Sequence, residues 1–162
     1  MKRVVLILAL FLASCADKNG VQKDVDLKTQ TLMFAQKHKI SIDELNIVAT
    51  LSYLNPTLDE ESEKDIFILS FTPHLLEFHS LKVFINHREA QVEALKTNDE
   101  LLKYLINNSY TKYFKVYLPS FKKENFLKAR VCSLEFACFE LDFQRYPKSL
   151  YYRSEDVDTQ YN

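Results

Sequence analysis

The chain has 162 residues, a hydrophobic fraction of 47%, 12 Phe, 9 Tyr, no Trp, 3 Cys, and 21 basic against 22 acidic side chains for a formal net charge of -1. That length accommodates one domain of ordinary size plus tails, and the slightly acidic balance gives no electrostatic reason to expect nucleic acid as a partner. The single Gly, at position 20, excludes phosphate-binding loops, dinucleotide fingerprints and nucleophile elbows, which need glycine where backbone turns sharply or approaches a phosphate.

In chain order, Met1-Lys2-Arg3 is a basic start, Val4 to Leu12 an apolar run of 9 residues, and Leu12-Ala13-Ser14-Cys15 its close. The run falls far short of the roughly twenty residues that span a bilayer, so it reads as a secretory leader. Its last four residues resemble the lipobox of bacterial lipoproteins, in which the cysteine thiol is diacylated and the leader is cut just ahead of it. The resemblance implies a signal peptide over 1–14 and a mature chain that begins at lipidated Cys15 and sits in the cell envelope. Its first partner would then be the membrane, through the N-terminal lipid. Two or more acyl chains, at roughly 0.8 kcal/mol per buried methylene, hold a protein at a bilayer nearly permanently. Without Lys2 and Arg3 the mature chain carries 19 basic and 22 acidic side chains, net -3. Ala16, not Asp, follows the cysteine, which in lipoprotein sorting favours the outer membrane over the inner. Residues 15–30 are then the lipidated N-terminus and a flexible tether: Ala16 to Gln30 is polar, rich in Lys and Asp, and without a clear period.

The folded domain is expected over 31–147, with 148–162 as a C-terminal tail. Thr31 to Lys39 fits either a strand or a helical turn. Leu45, Ile47, Ala49, Leu51 and Tyr53 share one parity and Asn46, Thr50 and Ser52 the other, a period of two that predicts a half-buried strand ending at Asn55-Pro56. Asp59 to Asp65 reads as a solvated acidic loop, and Ile66 to Phe71 as a central strand buried on both faces and stopped by Pro73. A hairpin follows, setting Leu81, Val83 and Ile85 opposite Ala94, Val92 and Ala90, with Lys82 across from Glu93 and a loop over Asn86 to Glu89. Thr97 and Glu100 stand at capping-box spacing before Leu101, Leu102 and Leu105, predicting a short helix that ends by Asn107-Asn108. Tyr113 to Leu118 alternates again, with Phe114, Val116 and Leu118 inward.

The last hairpin has an internal check on its register. Pairing inner with inner sets Val131 opposite Phe139, Ala129 opposite Leu141 and Leu127 opposite Phe143. The outer face then pairs Arg130 with Glu140, Lys128 with Asp142, and Cys132 with Cys138. A slip of one residue would turn one strand's apolar face to water. With Cys15 assigned to lipid, Cys132 and Cys138 remain as an even pair, and an oxidising compartment makes them a predicted disulfide.

These elements predict an all-β fold: an antiparallel two-sheet, immunoglobulin-like sandwich of about seven strands with one short helix. A single curved sheet or small barrel packed on the helix is the rival. His74-Leu75-Leu76-Glu77-Phe78-His79 places its histidines five apart, off the one-turn spacing of a helical zinc site, and Asp59, Glu60, Glu61, Glu63 and Asp65 lack the glycine and alternation of a calcium loop. No metal or cofactor is expected. Tyr146, Tyr151, Tyr152 and Tyr161 are either an aromatic contact surface or a loose tail. The whole resembles small Gram-negative lipoproteins whose mature part is an immunoglobulin-like sandwich on a tether. Fold does not give function, and the favoured reading is a noncatalytic binding or envelope-assembly module with an envelope or host protein as partner. A surface-exposed adhesin is the alternative. A periplasmic enzyme is disfavoured because no set of nucleophile, base and oxyanion donors can be assembled.

Overall fold

The computed structural model describes residues 18–58 and 62–145. The expected leader with Cys15, and the expected C-terminal tail with Tyr146, Tyr151, Tyr152 and Tyr161, lie outside the described residues. A helix, α1 (Lys18–Met33), leads into β1 (Ala35–Ile42), β2 (Leu45–Tyr53), a 3-10 turn (Asn55–Thr57) and β3 (Lys64–Thr72). Then come β4 (Lys82–Ile85), β5 (Arg88–Glu89), β6 (Gln91–Ala94), a second 3-10 segment (Glu100–Tyr104), β7 (Lys112–Pro119), β8 (Phe126–Cys132) and β9 (Phe139–Gln144). The strands form two antiparallel sheets, ordered β1-β2-β3-β7-β6 and β5-β4-β8-β9. The chain is thus an all-β two-sheet sandwich, with nine strands among the described residues where about seven were expected.

Parity places the core between the sheets. Ile47, Ala49, Leu51 and Tyr53 of β2, Phe67, Leu69 and Phe71 of β3, and Val116 of β7 are buried against Val83, Ile85, Leu127, Ala129, Val131 and Leu141 of the other sheet. β3 is the middle strand of its sheet and is covered on both faces, as its apolar run predicts. On its outer face Ile68 joins Leu54, Leu102, Tyr104 and Tyr113 in a second, smaller core that Leu27 of α1 packs against. Asn55 continues the β2–β3 ladder through its side chain: its Oδ1 accepts from Ile66 N (2.7 Å) and its Nδ2 donates to Lys64 O (2.7 Å).

The sandwich departs from the sequence expectation in four places. Lys18–Met33 is helical, so the segment read as a flexible tether is structured over most of its length. Its apolar positions are too sparse for a clear stripe, and contact supplies what periodicity lacks. Leu27 docks on the second core and Thr31, almost fully buried, donates to Leu27 O (3.0 Å). Residues left open between strand and helix divide into the end of α1 and the start of β1.

The hairpin drawn from Leu81 to Ala94 is not formed in that register. Asn86 and His87 both take positive φ, 47° and 67°, the backbone of a two-residue hairpin turn. Ile85 therefore faces Arg88 and Phe84 faces Glu89. After Ala90 the chain leaves for the other sheet, where β6 pairs with β7 and sets Glu93 against Lys115. Lys82 meets Glu89 instead, at 3.6 Å. Parity says which residues face inward but not which of two facing sheets a strand joins.

The segment after Asn98 is a 3-10 helix, and Asp99 is its cap: Asp99 Oδ1 accepts from Leu101 N (2.9 Å), so Thr97 does not serve in a capping box. Finally, Asp65 is not part of a solvated loop. It is fully buried, its carboxylate bound to the guanidinium of Arg145.

The final hairpin keeps its predicted register throughout, from Leu127 opposite Phe143 to Val131 opposite Phe139.

Candidate binding surface

Three long connections meet at one end of the sandwich. Residues 73–81 cross from β3 to β4, 95–111 join β6 to β7, and 133–138 join β8 to β9. Aromatic residues from the first and third seal the core beneath them. Phe78 packs on Phe71 with ring centroids 4.3 Å apart and on Phe114 at 5.7 Å, Phe136 lies 5.7 Å from Phe139, and His38 of β1 stacks flat on Phe139 at 4.3 Å. This plug makes the loop end a fixed surface rather than an open mouth.

The 133–138 connection is held at its neck and in its middle. The Sγ atoms of Cys132 and Cys138 lie 2.12 Å apart, at disulfide distance, with Cα atoms 4.2 Å apart. Glu135 accepts from His79 N (3.1 Å), from His79 Nδ1 (3.1 Å) and from the Ser133 hydroxyl. The Ser133 hydroxyl foremost, then the His79 backbone N–H, hold the Glu135 carboxyl down to about 2. Phe136 turns into the core, which leaves Leu134 at the tip, 82% exposed. The Ser133 hydroxyl and the His79 ring and backbone N–H all donate to Glu135, so one carboxylate ties the 133–138 connection to the 73–81 connection. The arrangement anchors a loop.

The other two connections also present apolar side chains: Leu75 and Ile106, each 64% exposed, and Tyr110 at 70%. Asn108 fixes Tyr110 by accepting from its N–H (2.9 Å) and from the Thr111 hydroxyl (2.9 Å). Between 73–81 and 95–113 lies an open cleft of about 670 Å3, lined by His74 and Glu77 on one side and Lys96, Asn107 and Lys112 on the other, over Leu102 and Tyr113. His74 and His79, paired by their spacing in the sequence, part here: one lines the cleft and the other holds Glu135.

At the opposite end lies a cluster the sequence reading missed. Arg145 donates to Asp65 Oδ2 (2.6 Å) and Asp65 Oδ1, to Ser120 Oγ (2.6 Å), and through Nε to Glu124 O (2.9 Å). Tyr53 donates to Asp65 Oδ1 (3.1 Å). One signal could have found it. Asp65 shares the inward parity of Phe67, Leu69 and Phe71, and Arg145 that of Leu141 and Phe143.

No family model matches this chain, and no curated protein or solved structure matches it.

Proposed function

We propose that the protein is a noncatalytic binding module of the bacterial envelope, anchored through lipid on Cys15, that engages an envelope protein with the loop end of its sandwich. The observation that carries this reading is the stapled 133–138 loop. A leucine 82% exposed is set at the tip of a segment fixed by a cysteine pair, a carboxylate with three donors and an inserted phenylalanine. Prior fixing of the loop lowers the entropy cost of ordering a contact on binding, and an apolar side chain on such a support is the kind of anchor that interfaces use. Three further apolar side chains on the neighbouring connections, Leu75, Ile106 and Tyr110, extend the surface. The lipobox-like Leu12 to Cys15 supports the address.

Photocrosslinking in living cells tests it. A photoreactive residue at position 134 is expected to capture a defined partner that the same residue at Phe126, exposed at the other end of the sandwich, does not. Leu134→Ser should abolish capture from a crosslinker at position 75. Equal yields from positions 134 and 126, or none from 134, would sink the reading.

A further inference from the structure

The cleft beside the loop end differs in character from the apolar tips around it. Within the described residues the side chains of His74, Glu77, Lys96 and Asn107 have no hydrogen-bond or ion-pair partner, although all four line one hollow. Lys112 also lines the hollow, its ammonium 5.8 Å from the Phe78 ring and 5.9 Å from the Phe114 ring. The floor is apolar, from Leu102 and Tyr113, both buried.

Two properties narrow the ligand. The cleft is cationic in an acidic chain: Lys96 and Lys112 against Glu77 alone, with 22 acidic and 21 basic side chains overall. Its other polar groups, among them the Asn107 amide, the Glu77 carboxylate and the His74 imidazole, mix donors and acceptors, which suits hydroxyls that both donate and accept. Hydroxyls, one negative charge and an apolar C–H face together describe a sugar acid. The volume, about 670 Å3, lies within the roughly 300–1,000 Å3 of small-molecule sites.

We propose that this cleft binds an acidic saccharide, with Lys96 and Lys112 taking its carboxylate or phosphate, and Asn107, Glu77 and His74 its hydroxyls. The site goes beyond the protein contact proposed for the stapled loop and uses different residues. Failure of crosslinking from position 134 leaves it standing, and its own failure leaves that contact standing.

Calorimetric titration of the full chain, purified in a neutral detergent, with D-glucuronate, glucose 6-phosphate, glucose and inorganic phosphate is the test. The expected result is saturable binding of at least one acidic sugar, about tenfold or more tighter than glucose or inorganic phosphate. The better of the two sugars tells whether a carboxylate or a phosphate is taken. Lys96→Gln and Lys112→Gln should each weaken it about tenfold with the melting temperature unchanged. Should either variant lose its fold, amide shifts of Ser109 and Thr111 in the unaltered chain on adding the sugar locate the site independently. Glucose or inorganic phosphate binding as tightly as the acidic sugars would overturn the proposal. So would tighter binding of a short Asp/Glu peptide, or no saturable binding of any probe.

Discussion

Arg145, the first residue beyond β9, lays its guanidinium against the carboxylate of Asp65, the second residue of β3, and so ties the two sheets together across their interior. Side chains of Tyr53 and Ser120 complete the carboxylate's shell. A paired buried charge adds little over a well-packed apolar substitute, but an orphaned one is costly. Arg145→Met should therefore lower stability by about 3–5 kcal/mol in urea unfolding. Asp65→Leu combined with Arg145→Met should recover a large part of that loss. A double variant as unstable as the sum of both single ones would show that the pair does not act as a unit.

Sequence patterning reaches as far as a strand's own alternation and its nearest partner. The β8–β9 register was legible because apolar, charged and cysteine residues all agree on one alignment; even so the ion pair that forms is the diagonal Lys128–Glu140, at 3.4 Å. Asp65 and Arg145 carried the same kind of signal, obscured because a charged residue at an inward position reads as the end of a strand. The switch of sheets at Ala90, the docking of α1 through Leu27, and the cleft between 73–81 and 95–113 were not legible. Each depends on segments distant in sequence coming together, which no local period records.

Glu135 should make acid sensitivity local to the stapled loop. Its carboxyl is lowered from 4.5 to about 2 in the fold, so the contribution to stability is fully present above the unfolded value and disappears as pH falls from about 4.5 through about 2. Wild type should exceed Glu135→Gln in stability at pH 6, with the gap closing across that window. A gap independent of pH would show that the hydrogen bonds do not distinguish the ionised carboxylate.

The β4–β5 turn separates two effects at adjacent residues. Asn86 combines positive φ with three side-chain bonds, donating to Glu124 Oε2 (3.0 Å) and Phe126 O (2.9 Å) and accepting from Lys128 N (2.7 Å). His87 is exposed and has positive φ alone. Asn86→Ala should cost about 1–3 kcal/mol, whereas His87→Gly should stabilise by up to about 1 kcal/mol because glycine carries no penalty in left-handed backbone. Thermal melts of the two variants should shift in opposite directions.

Replacement of Cys15 tests the proposed lipid anchor. Cys15→Ala should leave an uncleaved precursor and abolish incorporation of labelled fatty acid. Efficient cleavage with continued labelling would rule out lipidation at that position.

Cys132 and Cys138 are predicted to be oxidised in the cell and to stabilise the loop end without being needed for the fold. The β8–β9 register brings them together at the end of the hairpin across a sequence separation of 6, while the inward residues beside them, Val131 and Phe139, belong to the core on the other face of the sheet. A loop this short gives at most about 2–3 kcal/mol in the chain-entropy model. Cys132→Ser with Cys138→Ser should thus unfold at lower urea yet keep the β-sheet spectrum. The same pair closes the neck of the Leu134 loop, so the double variant should also lose capture from a crosslinker at position 134 beyond what its stability explains. Mass analysis of the protein alkylated before and after reduction decides the first point. If both thiols react before reductant is added, the bond is absent in the cell, and the fixing of Leu134 rests on Glu135 and Phe136 alone.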